Sequence, residues 1–256
     1  MASATDAATE TNTTIMQNYC KTIGALAAAS ALVAGTAKAE LEYSISGGFH
    51  KEYIFRGVEF GDTLQDYSLE VTGFSYAGFD MTAGVWNAFF VDDSSDNQIE
   101  TDLYLDASRD LGVWGLTGSV GYVWYINDDN DDGNKVDDAQ EIYFGLSKEL
   151  GYGISADLTY YWDLETDNDG YVELGFSKSY DLSDCLSLGL DTRIGYAYEE
   201  GDFANWSTTA SLDWAFAENA TLSPYVLLVV GGSADDLYAT TNDNEFIAGA
   251  SLSVSF

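Results

Sequence analysis

Glu245-Phe-Ile-Ala-Gly-Ala-Ser-Leu-Ser-Val-Ser-Phe256 closes the chain, and its alternation sets how everything before it is read. Counting back from the end, Phe256, Val254, Leu252, Ala250, Ala248 and Phe246 share one face of an extended strand. Ser255, Ser253, Ser251 and Gly249 share the other. A period of two is the strand period, here with one apolar and one small polar face. Two readings fit this stretch. In a soluble β-sandwich it is a closing strand whose apolar face packs on a second sheet. In an outer-membrane barrel it closes the sheet, its apolar face meets lipid, and Phe256 sits in the interfacial girdle as part of the assembly signal.

The same alternation recurs upstream. Twelve segments are read as strands, at 41–56, 66–76, 79–90, 98–108, 114–126, 139–148, 153–163, 170–180, 185–198, 206–215, 220–230 and 245–256, of which 79–90 is ambiguous, with aromatics on both faces. Each is near the roughly 9–11 residues that a tilted strand needs to cross a bilayer. Ile154, Ala156, Leu158, Tyr160 and Trp162 oppose Ser155, Asp157, Thr159, Tyr161 and Asp163. Leu186, Leu188, Leu190, Ile194 and Tyr196 oppose Ser187, Gly189, Asp191, Arg193 and Gly195. Aromatic residues gather near strand ends, as in Tyr122/Trp124, Tyr160/Trp162, Tyr196/Tyr198 and Trp206, which predicts a girdle at one rim.

The connections sort into two kinds. Short ones fall at Tyr76-Ala-Gly-Phe79, Glu149-Leu-Gly-Tyr-Gly153, Asp181-Leu-Ser-Asp-Cys185 and Phe216-Ala-Glu-Asn219. Between them come acidic and mostly longer ones at 91–98, 127–138, 164–170, 199–205 and 231–244. Short periplasmic turns alternating with longer external loops mark an even-stranded barrel with both termini in the periplasm. Greek-key crossovers do not sort their loops in this way. The expected fold is therefore all-β: a transmembrane antiparallel up-and-down β-barrel of about twelve strands. Pro224, early in the eleventh segment, is the poorest fit, because Pro is tolerated mainly near a strand end or at a bulge.

The chain has 256 residues, a single Pro and a formal net charge of -34. That acidity argues against a nucleic-acid partner, which needs a basic patch. Met16-Gln-Asn-Tyr-Cys-Lys21, the Ala/Leu-rich run 22–35 and the small residues Ala37 and Ala39 form the n-region, h-region and cleavage site of a secretory signal. The expected organisation is a disordered tail or upstream mis-start at 1–15, a signal peptide at 16–39 cleaved near Ala39, and a barrel at 40–256. Cys185 is then the one cysteine of the mature chain, so no internal disulfide forms there.

Gly47-Gly-Phe-His-Lys-Glu-Tyr-Ile-Phe-Arg-Gly57 ends the first segment, and Ala83-Gly-Val-Trp86 lies in the third. Tyr53, Phe55, Arg56 and Gly57 resemble the Tyr-x-Phe-Arg-Gly signature of the TorF-type porin family of bacteria, and Gly84-Val-Trp86 resembles its Gly-x-Trp strand. Lys51-Glu52 stands where that family has a Ser-Asp pair. The resemblance implies an outer-membrane β-barrel.

With Tyr43 and Ile45 facing lipid, His50, Glu52 and Arg56 face the lumen. The same parity puts Glu70, Glu100, Asp102, Asp106, Glu141, Asp157, Glu173, Asp191, Arg193 and Asp213 on the pore wall. Arg56 is expected to brace the wall or to constrict the pore, among carboxylates. Asp128, Asn130 and Asp132 match the first half of an EF-hand loop, but Ala139 stands where the bidentate Glu belongs. They predict at most loose Ca²⁺ or Mg²⁺ association at an external loop, with no resident cofactor. His50 is the only histidine, and no Walker, dinucleotide or zinc motif occurs, so an enzyme is not expected.

The sequence thus predicts a bacterial outer-membrane channel, reached by export and the barrel-assembly machinery. It would sit in outer-membrane lipid and pass cations and small polar solutes by diffusion. Its rivals are a non-conducting structural or surface-binding barrel, an outer-membrane hydrolase using His50, and a soluble secreted β-protein.

Overall fold

The computed structural model describes residues 41–61, 63–90, 99–127, 137–165, 170–198, 201–233 and 244–256. The 1–15 tail, the 16–39 signal segment and Asp128, Asn130 and Asp132 lie outside them.

Among the described residues, fourteen strands follow in order. They are β1 (Glu42–His50), β2 (Tyr53–Phe55), β3 (Val58–Gly61), β4 (Leu64–Tyr76), β5 (Phe79–Phe90), β6 (Ile99–Asp110) and β7 (Thr117–Asn127). Then come β8 (Ala139–Gly151), β9 (Ile154–Asp163), β10 (Tyr171–Ser183), β11 (Leu186–Ala197), β12 (Asp202–Ala217), β13 (Ala220–Gly231) and β14 (Glu245–Ser255). Twelve of them, all but β2 and β3, close one antiparallel barrel in which each strand pairs with its neighbours in the chain. The seam is β1 against β14, in register from Ser44↔Ser255 to His50↔Gly249. Phe256 finishes it, exchanging backbone hydrogen bonds with Tyr43 at 2.8 and 3.2 Å. Closure removes the unpaired edges that an open sheet would leave.

The alternation seen in the sequence maps onto the two faces of this wall. Ile45, Phe49, Leu105, Phe144, Leu158, Leu190, Leu212, Val226 and Leu252 are exposed on the outside. Exposed aromatics ring both rims: Trp124, Trp162, Tyr196, Tyr198 and Trp206 on the side of the longer connections, and Tyr76, Tyr180, Trp214, Phe216 and Phe256 on the side of the short turns. A water-facing sandwich would bury such a face between sheets; here it surrounds the barrel, as a lipid-facing band does. The soluble-sandwich reading is thereby set aside.

Pro224 sits inside β13 with no register shift beside it. It pairs with Ala250 of β14, whereas the ladder towards β12 skips from Tyr225↔Ser211 to Leu222↔Trp214. The missing N–H costs a gap in one ladder and leaves the register unshifted.

The first segment departs from expectation. It does not run as one strand over 41–56. β1 ends at His50, and Lys51 N–H makes a last ladder bond to Ala248 C=O at 3.1 Å. The chain then turns away as a separate two-stranded hairpin, β2–β3, and rejoins the wall at Leu64, directly opposite His50. The hairpin turns at Arg56-Gly57 between the paired residues Phe55 and Val58, with φ of 52° and 86°. Positive φ at both central positions is the two-residue turn that matches strand twist. Gly at the second position suits it, while Arg at the first is uncommon. The predicted strand 114–126 likewise begins only at Thr117, because 111–116 forms a turn.

Candidate functional site

The hairpin fills the barrel interior on the side of the longer connections. Val58 has no exposed surface. Tyr53 packs 5.8 Å from Trp86 and 5.4 Å from Phe90, ring centre to ring centre. On the far side Phe55 meets Tyr125 of β7 edge-on at 5.9 Å. Arg56 thereby reaches across the barrel from β1 to the opposite wall. Its Nη1 and Nη2 donate to Oε1 and Oε2 of Glu141 at 2.6 and 2.7 Å. The guanidinium carbon lies 4.5, 4.3 and 4.8 Å from the ring centres of Phe55, Tyr161 and Tyr171. Asn205 of β12 donates to Arg56 C=O at 2.6 Å and to Tyr171 OH at 3.0 Å. Both charged side chains are nearly dry, at 7% and 8% exposure. A forked, stacked pair of this kind is what arginine provides and lysine does not.

The second arginine makes another node, deeper in the barrel. Arg193 Nη1 donates to Glu173 at 2.6 Å and lies 3.5 Å from Asp157, and its Nε donates to Asp191 at 3.0 Å. One cation faces three carboxylates there, so the cluster stays net negative.

Other inward carboxylates are held by tyrosines in transverse rows. Tyr104 of β6 pairs with Gly84 of β5, and Gly84 pairs with Glu70 of β4. With no side chain at Gly84, the tyrosine lies across it and its OH donates to Glu70 at 2.9 Å. Tyr143, Gly121 and Asp106 repeat the arrangement on β8, β7 and β6, again with a 2.9 Å bond. Tyr225, Gly249 and His50 repeat it on β13, β14 and β1 across the seam, at 2.7 Å. A Cβ at Gly84, Gly121 or Gly249 would fall on the tyrosine ring. Tyr125 completes the set, donating to Glu141 Oε2 at 2.9 Å.

The residues that the sequence put on the lumen side therefore divide by setting. Glu70, Glu100, Asp102, Asp106, Glu141, Asp157, Glu173, Asp191, Arg193 and Asp213 lie on barrel strands. Asp213 accepts a hydrogen bond from Ser211 at 3.2 Å. Glu52 and Arg56 are not on the wall: they belong to the hairpin segment, where Lys51 pairs with Glu52. His50 does lie on β1, with Nδ1 on Tyr225 and Nε2 3.3 Å from Asp66, which also accepts from Trp86 Nε1 at 2.7 Å. Both ring nitrogens are thus engaged, and neither is directed at a serine hydroxyl. Among the described residues no group of His, Cys, Asp and Glu has an arrangement that holds a metal.

Sequence reasoning missed Asp66, Tyr171 and Asn205, and singled out Trp86 only as part of a family resemblance. The signal for the tyrosine rows was present, since each Tyr, Gly and carboxylate has inward parity. Their register could not be read without the pairing.

Among the described residues, the interior holds cavities at two levels. One of about 540 Å³, towards the short turns, is lined by Ser155, Ser177, Ser179, Asp181, Asp191 and Ser211. The other, about 560 Å³, lies against the hairpin and is lined by Phe55, Arg56, Trp86, Asp102, Tyr104, Tyr125, Tyr143, Tyr161 and Glu173.

A closed twelve-strand barrel with an apolar exterior and a charged interior has the architecture of outer-membrane channels. Similar folds among solved structures include two channels. An outer-membrane channel from Pseudomonas putida F1 superposes with a TM-score of 0.56 at 11% identity, over 86% of this chain and 97% of that one. A KdgM porin superposes with a TM-score of 0.50 at 12% identity, over 83% of this chain and 99% of that one. At such identities the likeness is one of fold. No protein-family model matches the chain, and no curated protein sequence matches it.

Proposed function

We propose that the protein is an outer-membrane channel through which ions and small polar solutes diffuse, with a preference for cations. The observation that carries this reading is the charge balance of the interior. Glu70, Asp102, Asp106, Asp157, Glu173 and Asp191 share inward parity on the strands, against two inward arginines that are already bound to carboxylates. In a channel with low-dielectric walls such an excess focuses a negative potential and concentrates cations. The two channel structures of the same fold support the transport reading, and the polar, Ser-rich cavity towards the short turns suits a wet path. The resemblance of Tyr53, Phe55, Arg56 and Gly57 to the TorF-type porin family belongs to this proposal.

The protein would reach the outer membrane after signal cleavage near Ala39, with its short turns in the periplasm and its acidic loops outside. A second reading is favoured by the inward hairpin itself: a barrel plugged by Arg56 and Val58 would be structural and would conduct nothing.

Purified protein reconstituted in a planar bilayer under a KCl gradient tests both. A reversal potential on the potassium side is expected. An anion-side potential overturns the cation preference, and a folded protein without conductance favours the plugged barrel.

A further inference from the structure

We propose that the outer face of the barrel, at the rim of the short turns, carries a docking surface for the anionic headgroups of phospholipids. This concerns the outside of the wall and does not depend on conduction. The two faces of the wall differ in charge. Along the barrel strands the carboxylates alternate to the inside, from Glu42 on β1 to Glu245 on β14. Among the described residues the outer face of those strands bears three charges, Arg109 on β6, Lys148 on β8 and Lys178 on β10, and all three are positive. The whole chain has 9 Lys and Arg against 43 Asp and Glu, so chance placement would put carboxylates there first.

The register sets the three cations in one belt. Arg109 pairs with Gly118 of β7, which pairs with Leu146 of β8, and Lys148 lies two residues nearer the turn. Lys148 pairs with Ala156 of β9, which pairs with Phe176 of β10, and Lys178 again lies two residues nearer the turn. Tilted barrel strands need such a steady stagger to hold residues at one depth. Each cation stands among lipid-facing residues. Lys178 pairs with Ile154 and Leu190, and its Nζ lies 4.6 Å from the ring centre of the exposed Tyr180. The Arg109 guanidinium lies 5.2 Å from the ring centre of Phe79. None of the three enters an ion pair with a described residue.

The turns below them add an independent feature. Arg109-Asp-Leu-Gly-Val-Trp-Gly115 and Lys148-Glu-Leu-Gly-Tyr-Gly153 repeat one pattern: cation, carboxylate, Leu-Gly, aromatic, Gly. Trp114 and Tyr152 are 83% and 95% exposed, and both hold a positive φ, 54° and 55°, that large side chains rarely adopt. Aromatic rings with a polar edge suit the headgroup level of a bilayer. Lys and Arg beside them lay their stems on the apolar wall and lift their charge to the same level.

Charge and depth identify the partner. A second copy of the barrel offers no carboxylate on its own outer face among the described residues, so it does not complement the belt. A lipid phosphate at the rim does, since basic groups near a bilayer surface attract anionic lipid. In the orientation proposed above, the leaflet concerned is the periplasmic one. The strands β12, β13, β14 and β1 bear no outward cation among the described residues, so the bound lipids gather on one side of the barrel.

The test uses the full-length barrel in detergent micelles, titrated with phosphatidylglycerol as probe and with zwitterionic phosphatidylcholine as control. Native mass spectrometry counts the lipids retained per barrel, open or plugged. Phosphatidylglycerol is expected to saturate at a concentration at least threefold lower than phosphatidylcholine. Arg109→Gln, Lys148→Gln and Lys178→Gln combined should make the two lipids equal, and each alone should remove part of the preference. Lys148→Arg should keep it, and so should Lys51→Gln, which removes a cation that is not on the belt. Equal retention of the two lipids by the parent would overturn the proposal. So would a preference that survives the combined variant, or one that Lys51→Gln reduces as far as Lys148→Gln does. If the combined variant does not fold, the single variants decide, and a preference unmoved by all three of them overturns the proposal. A cation-selective barrel that retains both lipids equally leaves the channel reading standing and removes only the belt.

Discussion

At the scale of single residues, the interior is organised by what glycine leaves out. Tyr143 reaches Asp106 only because Gly121, between them in register, has no Cβ. Gly121→Ala should push the ring aside and break the bond to Asp106, a cost of about 1–3 kcal/mol for an overpacked site. In a Tyr143→Ala background the same change should cost almost nothing. Denaturant titration of the four proteins of this cycle, folded in detergent, measures the coupling; additive effects would mean that the row does not act as a unit. Arg56 sets a different kind of dependence. Arg56→Ala leaves Glu141 buried with Tyr125 as its remaining hydrogen-bond donor among the bonds described here, and losing one partner of a buried pair costs on the order of 3–5 kcal/mol. Arg56→Lys keeps the charge but loses the fork and the stacking, so its unfolding midpoint should fall between those of the alanine variant and the parent. A lysine variant as stable as the parent would show that charge alone holds the hairpin.

At the scale of elements, the β2–β3 hairpin is what the sequence did not reveal. Eleven barrel strands were legible because each alternates and ends at a turn or an acidic connection. The hairpin was hidden because Tyr53 and Phe55 continue the alternation of β1, so 41–56 reads as one long strand. Lys51-Glu52 breaks the apolar face but gives no turn signal, and the true turn falls at Arg56-Gly57, where an arginine occupies a position usually taken by Asn or Gly. Pairwise register was illegible for a similar reason. Parity shows which face a side chain is on, but not which residue it meets across two strands, so the Tyr104–Gly84–Glu70 row stayed invisible although Glu70 was expected to face inward. The hairpin is also dispensable to closure, since His50 and Leu64 already face each other in the β1–β4 ladder. Replacing 51–63 with a short Gly/Asn turn should therefore preserve a folded barrel and raise unit conductance several-fold. Heat-modifiable migration on a gel checks the first outcome and single-channel recording the second. A folded deletion variant with unchanged conductance would move the constriction down to Arg193 and its three carboxylates.

At the scale of the whole molecule, the formal charge of -34 acts with different physics in bulk solvent and in the barrel interior. Charges that meet bulk solvent are screened by salt within a Debye length. The inward carboxylates face a confined interior with apolar walls, where screening depends on how many ions enter. If the interior field sets the preference for cations, that preference must weaken as salt rises. The Debye length falls from about 30 Å at 0.01 M to about 3 Å at 1 M, from wider than a small barrel's bore to about one side chain. Potassium-over-chloride selectivity should thus be strong at 0.01 M and approach the bulk ratio at 1 M, and conductance at low salt should exceed linear scaling from high salt. The Arg56→Ala variant, with one interior positive charge fewer, should stay more cation-selective than the parent at every concentration, with the gap widest in dilute salt. Reversal potentials measured over this range at a fixed concentration ratio give the curve directly. A selectivity independent of ionic strength would place discrimination in a discrete contact site rather than in the field of the barrel as a whole.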